Sequence, residues 1–134
     1  MNLFKKFFSK KTSDKNINES TTIFKSHLSS DSFFSNQVDR NLKGKEYEQK
    51  GETELAILEY EANLKEGFEG SHPYNRLAII YRKNKDYDNE IRVLNRSIDI
   101  YKELSKTSPR GDVEPKLLKF KERLEKAVEL KNAR

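Results

Sequence analysis

The sequence predicts an all-α chain: two helical hairpins and a C-terminal capping helix, preceded by a flexible basic segment. Three observations carry this. First, two stretches match at a separation of 34 residues: Gly44 with Ala78, Tyr47 with Tyr81, Ile57 with Ile91, Tyr60 with Leu94 and Leu64 with Ile98. A fixed period of this length marks stacked supersecondary units. Second, apolar residues recur at helical spacing from Phe34 to Val128. Third, 34% of the 134 residues are hydrophobic and 37% are charged. Such polarity disfavours a thick core but suits a thin helical stack in which each helix buries one stripe.

The elements follow in order. Residues 1–16 form a basic amphipathic segment. Leu3, Phe4, Phe7 and Phe8 share one helical face, and Lys5, Lys6, Lys10 and Lys11 flank it. Residues 17–31 are rich in Ser, Thr, Asn and Asp and read as a polar linker, interrupted by Ile23, Phe24 and Leu28. The hairpins occupy residues 32–104. Asp31 or Ser32 is placed to cap a first helix with Phe34, Val38, Leu42 and Tyr47 as its apolar stripe, ending near Gly51. Thr53 is placed to cap a second, with Ile57, Tyr60 and Leu64 facing inward, and Gly67 stands where a left-handed stop belongs.

Pro73, following Ser71 and His72, suits the first turn of a third helix carrying Tyr74, Leu77, Ala78 and Tyr81. Asp86 or Asp88 opens a fourth, with Ile91, Leu94, Ile98 and Tyr101 at i, i+3, i+7 and i+10. Ser105–Gly111, containing Pro109, reads as a loop. Asp112 then caps a helix over 112–132 whose stripe is Leu117, Phe120, Leu124 and Val128, with Pro115 tolerated in its first turn.

Composition narrows the function classes. The chain has no Cys, which removes disulfides and thiolate metal sites. The net charge of +5 is concentrated at the start. Residues 1–16 carry five Lys and one Asp, leaving 22 Lys/Arg against 21 Asp/Glu in the rest. Balanced charge on the folded part provides no sustained stripe for tracking phosphates, so nucleic acid is disfavoured as a partner. No export signal and no spanning run of ~20 apolar residues is visible, so a cytoplasmic location is expected. His27 and His72 sit in no metal-ligand spacing, and neither a phosphate loop nor a nucleophile elbow is present. No metal, cofactor or catalytic role is expected.

With these residues in hand, the chain resembles the tetratricopeptide repeat family over roughly residues 37–104. In the first unit Gly44, Tyr47, Gly51, Ala56 and Tyr60 match the family pattern; in the second, Tyr74, Leu77, Ala78, Tyr81, Asp86, Tyr87 and Leu94 do so. The resemblance implies that Gly44, Tyr47, Ala56, Tyr60, Tyr74, Leu77, Ala78, Tyr81 and Leu94 pack the units together. Departures from the pattern include Glu90 in place of Ala, Asn63 and Ser97 in place of a second Ala, and Lys43 in place of Leu. A buried carboxylate costs several kcal/mol if unpaired. Either the crossing at Glu90 is loose or a cation such as Arg76 or Lys50 reaches it.

The resemblance also implies a groove along the first helices of successive units. Asn41, Lys45 and Glu48 from the first unit and Asn75, Ile79 and Arg82 from the second would line it. Asn side chains suit an extended peptide backbone, and Lys45 and Arg82 suit an acidic group. The family's clamp for chaperone tails is not expected, because position 45 is Lys where that clamp has Asn and no third unit follows. The expected role is a protein-interaction module, an adaptor or assembly factor that holds a peptide or helix of another protein. An alternative uses the start of the chain. Residues 1–11 form a foot for an anionic membrane surface, with the repeats mediating self-association, or they dock on the stack. Two repeats are also short for a stack, so a segment of this chain or a second copy, forming a homodimer, is expected to cover the first helix.

Overall fold

A computed structural model describes the backbone of residues 19–133 and the side chains of residues 31–133. Among the described residues five helices run in chain order: α1 (Glu19–Gln49), α2 (Thr53–Lys65), α3 (His72–Lys83), α4 (Tyr87–Thr107) and α5 (Val113–Asn132). No strand occurs among the described residues. The chain divides into two units, residues 1–36 and residues 37–134. Within the first, residues 19–36 are helical and Phe33 and Phe34 are exposed. The expected amphipathic segment over residues 1–16 and the start of the linker lie outside the described residues.

The 34-residue period reappears in the backbone of the second unit. Helices α1 and α3 end at Gln49 and Lys83, and α2 and α4 begin at Thr53 and Tyr87, each pair 34 apart. The turns match bond for bond. Gly51 N–H donates to Glu48 C=O and Glu52 N–H to Tyr47 C=O; Lys85 N–H donates to Arg82 C=O and Asp86 N–H to Tyr81 C=O. Both turns are Schellman closures with a left-handed residue past the helix end, Gly51 at φ 76° and Lys85 at φ 57°. Gly67, at φ 74°, closes α2 in the same way. Its counterpart 34 residues on is Tyr101, which continues the helix, so α4 outruns α2. It stops at Ser108, whose extended ψ of 136° is what the following Pro109 demands.

Contacts fix the hairpins as antiparallel. Along α1 and α2, Glu48 meets Tyr60, Asn41 meets Asn63 and Arg40 meets Glu66. Tyr101 and Phe120, then Asp88 and Lys131, pair α4 with α5 in the same sense. The core contains Ala56, Tyr60, Leu64, Tyr74, Leu77, Ala78, Tyr81, Val93, Leu94, Tyr101, Val113, Leu117 and Phe120. Tyrosine supplies much of its bulk, and each hydroxyl finds an acceptor. Tyr60 donates to Glu48, Tyr74 to Phe68 C=O, Tyr81 to Glu61 and Tyr101 to Glu69 C=O. The rings of Tyr74 and Tyr101 meet Phe120 edge-on, with centroids 6.3 and 5.2 Å away. Such pairs add ~0.5–1.5 kcal/mol to the burial itself.

The expected packing residues lie in or against this core, with Tyr47 partly buried. Gly44 shows why its position takes no side chain: a Cβ there would stand 2.3 Å from Tyr60 Cε1.

Six expectations are corrected. Helix α1 begins at Glu19, so most of the stretch read as a linker is helical. Nothing between Glu19 and Lys43 is Gly or Pro, and Ser and Thr alone do not break a helix. Phe34 is exposed, and in the second unit so are Val38 and Leu42, because residues 37–49 of α1 pack on α2 through Gln37, Arg40, Asn41, Gly44 and Glu48. That packing face is tied by hydrogen bonds, which hydrophobic spacing does not reveal. Thr53 is the first residue of α2, after Glu52 at the cap position, and Asp112 makes no side-chain cap bond because its carboxylate takes Arg110 and Lys116. The loop after α4 is shorter than expected, since α4 continues to Thr107. On α5, Val128 is exposed and Ala127 takes the buried place.

Candidate functional site

A groove of about 860 Å³ runs beside the ends of α1 and α3. Lys45 and Glu48 reach it from α1, Ile57 from α2, and His72, Arg76 and Ile79 from α3. A second hollow of about 530 Å³ adjoins it, lined by Asn75, Arg76 and Ile79 of α3 and by Lys119, Glu122 and Arg123 of α5. Arg76 and Ile79 line both. The two hollows are therefore parts of one surface built on α1, α3 and α5, with Ile79 exposed at its centre.

Four of the six expected groove residues meet there: Lys45, Glu48, Asn75 and Ile79. The other two are committed elsewhere. Asn41 accepts a hydrogen bond from Asn63 Nδ2 at 2.9 Å, and Asn63 also donates to Gln37 C=O. Arg82 Nε donates to Glu90 Oε2 at 2.7 Å. The cation that reaches buried Glu90 is thus Arg82, and not Arg76 or Lys50. Arg76 instead pairs with Glu48, with Nη2 at 2.6 Å from Oε1.

The electrostatics follow from these contacts. Burial works against the charge on Glu48, but hydrogen bonds from Arg76 and Tyr60 outweigh it and hold the carboxyl below its ordinary value. Burial and the nearby Lys45 keep the His72 imidazole below its usual value, so it lines the groove as a neutral ring. Burial raises Glu90 despite the adjacent Arg82. Arg123 feels burial and repulsion from Arg82. It donates through Nη1 to Asn75 at 2.7 Å, and its Nε and Nη2 donate to no described residue.

Five cations (Lys45, Arg76, Lys83, Lys119 and Arg123) line the two hollows, against the carboxylates Glu48, Glu54 and Glu122. Among the described residues only Arg76 and Glu48 of this set form an ion pair. The surface is therefore basic while the rest of the folded part is not.

Sequence reasoning did not place Ile57, His72, Arg76, Lys83, Lys119 or Arg123 in the groove. Lys119 and Arg123 lie beyond the 34-residue register because α4 is longer than α2, and their i, i+4 spacing reads as an ordinary solvated face. Leu3, Phe4, Lys5, Lys6, Phe7, Phe8, Lys10 and Lys11 lie outside the described residues. Among the described residues no His, Asp or Glu cluster is arranged to hold a metal, and no helix is long and apolar enough to cross a membrane. No family model matches this chain, and neither the curated proteins nor the solved structures contain a match.

Proposed function

We propose that the chain is a non-catalytic binding module of the tetratricopeptide kind, whose groove holds an acidic segment of another protein. The observation that carries this reading is the set of cations around Ile79 that lack carboxylate partners, drawn from α1, α3 and α5. An apolar centre with charged walls suits a segment that presents one hydrophobic side chain between acidic ones. The Nε and Nη2 of Arg123 suit a carboxylate in fork geometry. The 34-residue recurrence of helix ends and turn bonds supports the repeat reading. A protein of this kind works as an adaptor or assembly factor inside the cytoplasm.

The test is to pan a displayed library of random linear peptides on the full chain. Retained peptides are expected to be rich in Asp and Glu. Their binding should be lost in Lys45→Glu with Lys119→Glu and kept in Lys102→Glu, which alters an exposed residue of α4. A library that yields no binders, or binders indifferent to the groove changes, overturns the reading. A second reading rests on the spacing of Leu3, Phe4, Phe7 and Phe8 among lysines: attachment to an anionic membrane surface. It predicts that the chain sediments with anionic vesicles and that removal of residues 1–11 abolishes this; sedimentation that survives the removal rejects it.

A further inference from the structure

Helix α2 carries a second exposed face, apart from its contribution to the groove. Leu58 stands at its middle, 66% exposed, with Leu55 at 43%. Ala62 and Lys65 continue the face, since positions 55, 58, 62 and 65 lie on one side of a helix. A hollow of about 540 Å³ opens there, lined by Leu58, Ala62 and Leu64 and framed by Arg92 and Arg96 of α4. Those two arginines are held in place. Arg92 pairs with Glu61, and Arg96 donates to the carbonyls of Leu64 and Lys65.

The fold does not require this face to be apolar. The counterparts of Leu55, Leu58 and Ala62 in the second hairpin, 34 residues on, are Asn89, Arg92 and Arg96. The same place in the same architecture is polar there. An exposed leucine pair beside a hollow, in one unit alone, therefore points to an interaction.

Charge indicates the occupant. The start of α2 is acidic, with Glu52 at the cap position and Glu54 in the first turn. Its end carries Lys65 in the last turn with Arg96 lying against it, while Glu66 at the C-cap is already paired with Arg40. A second α2 laid antiparallel on the first sets each acidic start on the other's basic end. It also sets Leu55 opposite Ala62, with Leu58 close to the symmetry axis. A surface complementary to its own reversed copy is what a two-fold interface requires.

We propose that two copies of the chain associate through this face of α2, with the helices antiparallel and Leu58 at the centre. The patch is narrow, so the dimer is of the weak, reversible class, with dissociation in the range of about 10–100 μM.

Sedimentation equilibrium of the full chain over a range of concentrations tests the proposal. The expected mass rises from 15.8 kDa towards twice that value as concentration increases. Leu58→Glu, which alters an exposed side chain, is expected to hold the chain at the monomer mass with its helical circular dichroism unchanged. Glu54→Lys should weaken the dimer at least tenfold, and adding Lys65→Glu to the same chain should restore it. A monomer throughout, up to about 1 mM, overturns the proposal. So does a dimer that Leu58→Glu leaves intact, or a charge reversal that the second substitution fails to rescue.

Discussion

Arg82 Nε lies 2.7 Å from Oε2 of Glu90, a carboxylate with no exposed surface, while the arginine keeps about a third of its own side chain in solvent. The pair is lopsided. Glu90 Oε1 accepts no hydrogen bond from any described residue, so this one guanidinium bears most of the compensation. Removing a single partner of a buried pair is far worse than replacing both by apolar groups. Arg82→Ala is expected to cost about 2–4 kcal/mol at neutral pH, read by urea unfolding. Arg82→Ala with Glu90→Leu should recover most of that loss. A single substitution that costs no more than the double one would show that Glu90 does not depend on Arg82.

The same carboxyl gives a pH signature. Burial raises Glu90 above its ordinary value in the folded chain, even with Arg82 beside it. The folded state therefore holds this proton more tightly than the unfolded state. The stability associated with it is fully present below the unfolded value and is lost as pH rises through the folded one. Relative to Glu90→Gln, which carries no titrating group, the native chain should lose stability as pH climbs from about 4 towards neutrality. A stability difference that is flat with pH, or that moves the other way, contradicts the assignment.

Gly44 and Tyr60 form a matched pair whose counterparts 34 residues later are Ala78 and Leu94. The smaller residue faces the larger ring in the first hairpin, and a methyl is admitted where the second hairpin has Leu. A Cβ at Gly44 would meet Tyr60 Cε1 at 2.3 Å and Cζ at 2.6 Å, distances that force the ring to move. Gly44→Ala should cost about 1–3 kcal/mol by overpacking. Combined with Tyr60→Leu, the two changes should couple favourably by at least about 1 kcal/mol in a double-mutant cycle. Strict additivity would mean that the ring and the glycine do not constrain each other.

Most helix ends were readable from sequence because stops and starts are local chemistry. Gly51, Gly67, Pro73 and Asp86 each act through their own φ or side chain, and each sits where expected. The 34-residue pairing also picked out core positions, since Tyr60, Leu64, Ala78, Tyr81, Leu94 and Ile98 are buried. What was not readable depends on side chains meeting across helices. The inward face of α1 is polar, and Gln37, Arg40 and Asn41 are recognisable as inward only once Asn63 and Glu66 stand opposite them. The choice of Arg82 over Arg76 for Glu90 was equally hidden, because Glu48 claims Arg76 from another helix. The contribution of α5 to the groove was invisible because the extra turns of α4 break the 34-residue period on which Lys45 and Ile79 recur.

Lys85 occupies the left-handed position that Gly51 fills in the first hairpin, with the same two turn bonds around it. A side chain at positive φ brings Cβ against the neighbouring carbonyl, a penalty of ~1–2 kcal/mol that glycine avoids. Lys85→Gly is therefore expected to stabilise the chain by about 0.5–1 kcal/mol, after the loss of unfolded-state restriction is subtracted. A thermal midpoint higher by about 2–4 °C would follow. Gly51→Ala should move the midpoint down, since nothing crowds that site and only its φ of 76° is at stake. A neutral or destabilising Lys85→Gly would mean that the lysine contributes more than its backbone strain costs.

Three buried phenols set the alkaline limit of the fold. Burial holds Tyr60, Tyr74 and Tyr81 well above the ordinary tyrosine value, and for Tyr60 and Tyr81 the acceptors Glu48 and Glu61 push further in the same direction. The folded state keeps these protons more tightly than the unfolded chain does. Their contribution is complete below the unfolded value of about 10 and diminishes as pH rises towards the folded ones. The chain has six tyrosines, so three protected phenols cap the folded tyrosinate absorbance at half the unfolded signal. The remainder should appear only as helical circular dichroism collapses, in one step shared by both signals. Full ionisation near pH 10 with native dichroism would show that these hydroxyls are open to solvent and do not anchor the hairpins.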